Sequence, residues 1–155
     1  MSKMTNTSEG QESSGFHIAM KVLGTLHRWL YRASGGKLGK TFFGSPILLL
    51  TTTGRNTGRS RTWPLTYLHD GGGRFVVSAA YGGQPKHPAW YLNLRANPHV
   101  AVQLGEHTRA MIAEVVEGGE RARLWSGLTE AYPAYADYQR KTERQIPVVV
   151  LRQES

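Results

Sequence analysis

PILLLTTTGRNTGRSRTWPLTYLH, residues 46–69, contains two β-rich runs on either side of a turn. Residues 46–53 are apolar and end in three threonines, a composition that favours a short buried strand. Residues 54–58 read Gly-Arg-Asn-Thr-Gly, which is typical of a turn, and residues 61–69 resume as a strand. The sequence therefore predicts a β-hairpin at this position.

Further short strands and helices are predicted along the rest of the chain. The strands are residues 74–80, 99–104, 108–116 and 146–151. The helices are residues 87–96, 117–129 and 132–141. These strands do not alternate regularly with helices, which argues against a doubly wound sheet. We therefore expect an α+β fold that is mainly β, namely an antiparallel barrel of five or six strands decorated by helices.

The N-terminal region divides into a polar tail and an amphipathic segment. Residues 1–15 are too polar to bury much apolar surface, so we expect a disordered tail. Residues 16–34 place their apolar side chains on one face of a predicted helix and their cations on the other. This helix either packs on the barrel or, over residues 16–32, lies on an anionic membrane surface. We expect residues 16–155 to form a single domain that includes it.

The composition excludes several kinds of chemistry. The 155-residue chain has no cysteine, which rules out thiol catalysis, disulfides and cysteine-ligated metal clusters. It also lacks a metal-binding histidine pair and a Gly-x-Ser-x-Gly motif, so we expect no metal site and a reactivity supplied by an organic cofactor. The net charge of +8 indicates an anionic partner. Because the cations are dispersed, a phosphorylated or polycarboxylate ligand is favoured over nucleic acid.

Residues 51–61 form the first candidate site. This segment combines hydroxyl groups and glycines with Arg55, Arg59 and Arg61. Glycines let backbone N–H groups approach an anion, and arginines make bidentate contacts to phosphate or carboxylate. The segment is therefore either an anion-binding turn or an exposed polar hairpin tip.

Two aromatic clusters form the other candidates. Trp90 and Asn93 lie three residues apart, so a helix places them on one face, where they suit a flat heterocycle. Trp90 is equally compatible with a core position. Tyr132, Tyr135 and Tyr138 repeat at a spacing of three and would form one stripe on a helix. Such phenols either donate hydrogen bonds to a substrate oxygen or pack against the barrel.

Four segments of the chain carry a family pattern. They are residues 49–58 with Arg61 and Pro64-Leu65, residues 90–94 with Ala96-Asn97-Pro98, residues 132–135 with Tyr138-Gln139, and residues 144–150. Together they resemble the deazaflavin-dependent nitroreductase family of actinobacteria, and the resemblance runs from about Trp29 to Leu151. It implies a split β-barrel related to flavin-mononucleotide oxidases. It also implies coenzyme F420 as the cofactor, a flat deazaflavin that bears a phosphate and an oligoglutamate tail.

The same resemblance implies roles for individual residues. The implied cofactor-binding residues are Thr53, Arg55, Asn56, Arg61, Ala79, Ala80, Tyr81, Gly82, Gly83, Trp90 and Asn93. The implied catalytic residues are Tyr132, Tyr135 and Tyr138. The turn residues would hold the phosphate and the tail, and the backbone of residues 79–83 would run beside the deazaflavin ring. The tyrosines would line the pocket for the hydride acceptor.

Two departures from the family pattern bear on specificity. Relatives carry Arg-Lys where this chain has Arg55-Asn56, which leaves one cation fewer near the anionic tail. The nitroimidazole-reducing member carries Ser-Lys where this chain has Ala80-Tyr81, which removes a hydroxyl group. The comparison therefore supports binding of the cofactor more than reduction of nitroimidazoles.

The resemblance implies an F420-dependent reductase that passes hydride to an electron-poor acceptor, which is a quinone, an enone or a nitro compound. The alternatives are an F420-binding carrier without turnover and a split-barrel reductase that uses flavin mononucleotide. Since the N terminus lacks a secretory signal, we expect a cytoplasmic protein, held peripherally at the inner face of the membrane if residues 16–32 bind lipid. Both a monomer and a homodimer agree with the pattern.

Overall fold

The computed structural model describes residues 41–42 and 45–154. The chain divides into two compact units, residues 1–44 and residues 45–155. In the first unit the structure describes only strand β1, Thr41–Phe42. The predicted tail of residues 1–15 and the predicted helix of residues 16–34 therefore lie outside the described residues.

The second unit contains seven strands and three α-helices within its described residues. The strands are β2 (Ser45–Thr53), β3 (Ser60–Thr66), β4 (Leu68–His69), β5 (Phe75–Ser78), β6 (His99–Leu104), β7 (His107–Val116) and β8 (Val148–Arg152). The α-helices are α1 (Ala89–Ala96), α2 (Gly118–Ala131) and α3 (Ala134–Arg140), and a 3₁₀ turn lies at Tyr81–Gly83. Among the helices that the structure describes, none is both long and apolar enough to cross a membrane.

These seven strands form an antiparallel split barrel. They pair in the order β3-β2-β6-β7-β8-β5-β4. Strands β3 and β4 are separated only by Tyr67, yet β3 pairs with β2 at one edge of the sheet and β4 pairs with β5 at the other. The sheet must therefore curl until its two edges meet at Tyr67. The predicted mainly β split barrel and the predicted hairpin at residues 46–69 are confirmed.

Some element boundaries differ from the sequence-based prediction. The strand predicted at residues 61–69 is divided at Tyr67, so residues 45–154 contain seven strands where five or six were expected. The helix predicted from His87 begins at Ala89, because Pro88 is held in an extended conformation. The helix predicted over residues 132–141 begins at Ala134, and Tyr132 instead ends α2 with non-helical dihedral angles.

The core has two layers that share the central strands. Inside the barrel, strand residues such as Leu50 and Val77 pack with Trp90 and Leu94 of α1. On the outer face, valines of β5 and β8 pack with Leu124 and Leu128 of α2. Because both faces of β8 are covered, Val148–Leu151 is fully buried, which explains its uninterrupted apolar sequence.

The register places the important loops at one end of the barrel. The end of β2, at Thr53, lies beside the start of β6, since Thr51 pairs with Ala101. The same end of the sheet carries the end of β5, because Ser78 pairs with Val148 at the start of β8. Residues 54–59 and residues 79–88 therefore both leave from this end, here called the loop end. The opposite end, here called the hairpin end, carries residues 70–73 and 105–106.

Candidate functional site

The turn of residues 54–59 is closed by its own backbone. The N–H of Gly54 donates to the carbonyl of Arg59 at 2.7 Å, and the N–H of Gly58 donates to the carbonyl of Gly54 at 2.7 Å. A Cβ atom at Gly54 would lie 2.8 Å from Thr57 Oγ1 and 3.1 Å from the carbonyl oxygen of Arg59, so a larger residue would force Thr57 to move. The tight turn leaves Arg55 and Asn56 exposed at its tip.

Asn93 anchors this turn to helix α1. Its side chain is only 3% exposed, and its amide nitrogen donates to Thr52 Oγ1 at 3.2 Å. Its amide oxygen accepts from the backbone N–H of Arg55 at 3.2 Å and from Arg55 Nη1 at 2.9 Å. The bond between Asn93 and Thr52 is buried, whereas the two bonds to Arg55 are only partly buried. Together they fix the direction in which Arg55 leaves the turn.

A cavity of about 160 Å³ opens between the turn and α1. The predicted cofactor residues that line it are Arg55, Asn56, Arg61 and Asn93. Arg55, Arg59 and Arg61 are exposed, and within residues 45–154 none of them forms an ion pair with a carboxylate. An arginine without a carboxylate partner is available to bind a phosphate or a carboxylate of a ligand. The donors present therefore fit the anionic part of coenzyme F420.

The predicted ring-binding loop is held by Arg144. Its guanidinium group donates to the carbonyl oxygens of Ala79 at 3.2 Å, Ala80 at 2.8 Å and Gln84 at 3.0 Å. Burial lowers the pKa of Arg144 from its ordinary value. A guanidinium group nevertheless stays charged in a protein, so these three contacts are charge-assisted. One side chain thus fixes the path of residues 79–84.

His87 completes this network as a neutral imidazole. Arg144 Nη1 lies 3.2 Å from His87 Nδ1, and because an arginine can only donate, the proton of His87 resides on Nε2. Burial lowers the pKa of His87, and the nearby cations of Arg144 and Arg95 lower it further. The ring also packs against Tyr91, with the ring centroids 4.7 Å apart.

Gly83 brings the same loop into contact with helix α3. It is buried with a φ of 79°, and a Cβ atom there would lie 2.7 Å from the carbonyl oxygen of Tyr138 and 3.0 Å from its Cα. Only glycine allows this approach and this backbone conformation together. Tyr81, next to it, also has a positive φ, 49°, and its side chain is 45% exposed at the loop end.

The three predicted tyrosines occupy different surroundings. The hydroxyl of Tyr132 donates to the carbonyl of Tyr67 at 2.8 Å, and the hydroxyl of Tyr135 is bonded to Thr66 Oγ1 at 2.6 Å. Burial raises the pKa of Tyr135, so this phenol remains protonated. Both hydroxyls thus tie the α2–α3 corner to the seam between β3 and β4.

Tyr138 differs because its hydroxyl forms no hydrogen bond among the described residues. Its ring packs against Tyr135 with the centroids 6.2 Å apart, and Lys141 Nζ lies 5.6 Å from the ring centroid. Its backbone touches the loop at Gly83. Of the three phenols, Tyr138 is therefore the one whose hydroxyl has no partner within residues 45–154, and its backbone lies beside the loop at Gly83.

The structure separates the predicted cofactor residues into groups. The first group surrounds the cavity between the turn and α1, here called the cationic cavity because Arg55 and Arg61 line it. Thr53 is half-buried and directly precedes the turn. Residues 79–83 form a second group at the same end of the barrel. Trp90 belongs to neither group, since its ring is 4% exposed and packs inside the barrel. Its contact with a cofactor remains a prediction, and core packing is the role that its burial supports.

Sequence reasoning missed three residues of this region. Trp63 lines the cationic cavity and is 38% exposed, and its spacing of two from Arg61 on a strand is a signal that places both on one face. Thr52 continues the inward alternation of Leu48 and Leu50, so its hydroxyl required a buried partner. The partners of Arg144 lie 57 to 65 residues away in sequence, and no local pattern identifies them.

Known proteins resemble this chain over most of its length. The sequence profile of the F420H(2)-dependent quinone reductase family matches residues 24–153. An F420H(2)-dependent quinone reductase of Mycobacterium tuberculosis is 41% identical over 139 residues, which cover 87% of this chain and 92% of the relative. The solved structure of an F420-H2 dependent reductase, FDR-A, has 45% identity and a TM-score of 0.64, and the match covers 69% of this chain and 94% of that chain.

A second solved structure, described as a domain-swapped dimer, has 39% identity and a TM-score of 0.65. Its match covers 86% of this chain and 98% of that chain. The family resemblance seen in the sequence motifs is confirmed, as are the predictions of an F420-dependent reductase and of coenzyme F420 as its cofactor. Because the profile spans most of the chain and the relatives are matched nearly end to end, this chain belongs to the F420H(2)-dependent quinone reductase family.

Proposed function

We propose that this chain catalyses the reduction of a quinone by reduced coenzyme F420 at the loop end of its barrel. The main support for this site is the cationic cavity. Arg55 and Arg61 line it, and neither pairs with a carboxylate within residues 45–154. Reduced coenzyme F420, when bound, supplies the hydride. The remaining contributions come from the protein, which binds, orients and donates a hydrogen bond.

The arginines of the turn bind the anionic part of the cofactor. Asn93 holds Arg55 in a fixed direction before the ligand arrives, so little conformational freedom is lost on binding. Arg61 and Trp63 add a cation and an aromatic surface on the adjacent strand. Asn56, where relatives carry lysine, contributes an amide in place of a second cation at the tip.

The loop held by Arg144 positions the ring of the cofactor. Its carbonyls at Ala79 and Ala80 are occupied by the guanidinium group, so the loop keeps one shape without a ligand. A fixed loop restricts the distance and the angle at which donor and acceptor meet, which is a large source of rate enhancement. Arg144 is therefore a positioning residue, and it does not touch the reacting atoms.

Tyr138 donates a hydrogen bond to the quinone oxygen that gains negative charge. Its hydroxyl is free of partners within residues 45–154, whereas those of Tyr132 and Tyr135 are engaged with β3 and Tyr67. A donor accelerates the reaction only if its bond is stronger in the transition state than in the ground state. Tyr132 and Tyr135 contribute by holding the helix that carries Tyr138.

A fluorescence titration with oxidised coenzyme F420 tests the cofactor assignment. We expect saturable binding, and an affinity at least tenfold weaker for Arg61→Ala, because a hydrogen bond to a charged group contributes about 1.5–3 kcal/mol. Arg152→Ala is the matched control, since it removes a cation that pairs with Glu114 on the barrel surface. Absence of saturable binding, preference for flavin mononucleotide, or equal affinities for the two variants would overturn the assignment.

A single-turnover experiment separates an enzyme from a carrier without turnover. The chain loaded with reduced coenzyme F420 is mixed with menadione, and oxidation of the deazaflavin is followed by its absorbance. We expect oxidation to be faster with the protein than without it. Equal rates would favour the carrier.

Peripheral membrane binding through residues 16–32 also belongs to this proposal. The support is the amphipathic sequence of that segment, which would bring the enzyme to quinones dissolved in the membrane. Flotation with anionic vesicles compares the full chain with a chain that begins at residue 36. If the full chain does not float with the vesicles, the proposal of membrane binding is wrong and a cytoplasmic reductase remains. Sedimentation then measures whether the protein is a monomer or a homodimer.

A further inference from the structure

A second cavity of about 250 Å³ lies at the hairpin end of the barrel. It is away from the turn of residues 54–59, here called the cationic turn. Its apolar floor consists of Phe75 and Val102, which are 6% and 2% exposed, and of the half-buried Leu104. Its polar rim consists of His69, His107 and Arg109. All of these residues lie on strands, and Gly73, in the turn before β5, completes the lining.

The polar residues of β7 occupy positions that face the barrel interior. Directly paired residues of an antiparallel sheet point to the same face. Arg109 pairs with the buried Val102, and His107 pairs with Leu104, which packs on the core. The next residue in this series, Met111, is buried. His107 and Arg109 are themselves exposed, so this face of β7 changes from apolar to basic where the barrel opens to solvent.

The third polar residue reaches the cavity from another strand. His69 of β4 pairs with the buried Phe75 of β5, and the centroids of their rings lie 5.4 Å apart. The imidazole thus covers one edge of the apolar floor. Because β4 and β7 lie at different positions in the sheet order, two distant parts of the chain bring basic groups to one cavity.

The positive charge of this cavity is not compensated within the described residues. None of the residues that line it is acidic, and Arg109 forms no ion pair within residues 45–154. Asp70 follows His69, but its carboxylate is bonded to Arg123 and paired with Arg74. Glu106, at the tip of the β6–β7 hairpin, is exposed and is not among the residues that line the cavity.

We infer that this cavity binds a small organic carboxylate with a compact apolar body. The guanidinium group of Arg109 donates to the carboxylate, and the histidines add further donors at the rim. The apolar body rests on Phe75, Val102 and Leu104, where its burial is favourable. The cavity is smaller than the usual pockets for drug-sized ligands, which measure about 300–1,000 Å³, so a benzoate-sized ligand fits the available space.

Titration of the isotope-labelled full chain with benzoate, followed by amide NMR shifts, tests this site. We expect saturable shifts in residues 69–75 and 102–109. Benzamide has nearly the same shape without the charge, and we expect it to bind at least tenfold more weakly. No saturable shift, shifts confined to residues 54–61 and 89–93, or equal affinities for benzoate and benzamide would overturn the inference.

Variants locate the interaction at Arg109. We expect Arg109→Gln to weaken benzoate binding at least tenfold, and Arg109→Lys to weaken it less because the charge is kept. Arg61→Gln, at the loop end, is the control and leaves benzoate binding unchanged. Leu104→Phe fills the cavity while keeping Arg109, and it should also weaken binding. Retained affinity in Arg109→Gln or in Leu104→Phe would contradict the site, whether or not coenzyme F420 binds at the other end.

Discussion

Replacement of Asn93 by alanine removes the connection between the cationic turn and helix α1. The substitution deletes three hydrogen bonds at once: one to Thr52 Oγ1, one from the Arg55 backbone N–H and one from Arg55 Nη1. It leaves the buried Thr52 hydroxyl without its donor. We therefore expect losses in both the stability of the fold and the affinity for coenzyme F420.

The size of the stability loss follows from these contacts. Two neutral hydrogen bonds contribute about 1 kcal/mol each, and a bond to a charged group contributes about 1.5–3 kcal/mol. Because Arg55 is exposed, water replaces part of its bond, and we expect a net loss of about 3 kcal/mol in the free energy of unfolding. For a chain of this length such a loss lowers the melting temperature by about 6–12 °C.

Thermal and urea unfolding of Asn93→Ala, beside Asn97→Ala, measure this loss. The control removes a single bond, from the backbone N–H of His99 to Asn97 Oδ1 at 3.1 Å, at an exposed position. Asn93→Asp adds a second comparison. Its carboxylate can still accept hydrogen bonds from Arg55, but its negative charge neutralises the positive charge of that arginine. We expect Asn93→Asp to be more stable than Asn93→Ala and to bind coenzyme F420 weakly. The reasoning is refuted if Asn93→Ala and Asn97→Ala have equal stabilities, or if Asn93→Asp binds the cofactor like the parent chain.

Three further predictions concern the loop end. Tyr138→Phe should lower turnover with menadione at least tenfold while the melting temperature stays unchanged, and unchanged turnover would exclude the hydroxyl as a donor. Gly83→Ala should destabilise the fold by about 2–4 kcal/mol, because the new Cβ would lie 2.7 Å from a backbone oxygen. Gly82→Ala, with a φ of 64° and open space around it, should cost only about 1–2 kcal/mol; equal unfolding energies would contradict the contact with α3. His87 should titrate below the ordinary pKa of about 6.5, as followed by NMR. Since the unfolded chain takes up this proton first, stability should fall as the pH decreases from about 6.5 to the folded pKa. A normal midpoint would refute the burial of His87 beside Arg144.

Much of the candidate site was accessible from local sequence. The turn of residues 54–59 is specified by its glycines and its arginines, and the structure confirms both the hairpin and the exposure of its cations. Trp90 and Asn93 do lie on one helix, as their spacing predicts, yet their surroundings differ. Trp90 fills the core, whereas Asn93 is bonded to the turn, because the chain packs α1 against β2 and leaves the amide facing residues 52–55.

The tyrosine repeat shows where local reasoning stops. A spacing of three predicts one stripe on one helix, but Pro133 interrupts the helix and leaves Tyr132 at the end of α2. Which hydroxyl is free depends on partners that are 65 and 69 residues away, on β3 and at Tyr67. That distinction requires the packed structure.

The sequence by itself determined the antiparallel strands, the turn chemistry, the absence of thiol chemistry and the family, since each depends on residues close together or on a shared pattern. Only the tertiary structure decided that the sheet closes at Tyr67, that Arg144 holds the loop of residues 79–84, and that Arg109 lines a cavity at the hairpin end. The physical reason is that these features depend on contacts between residues far apart in the chain. Such contacts are set by strand register and by the packing of both faces of the sheet, which no local spacing encodes.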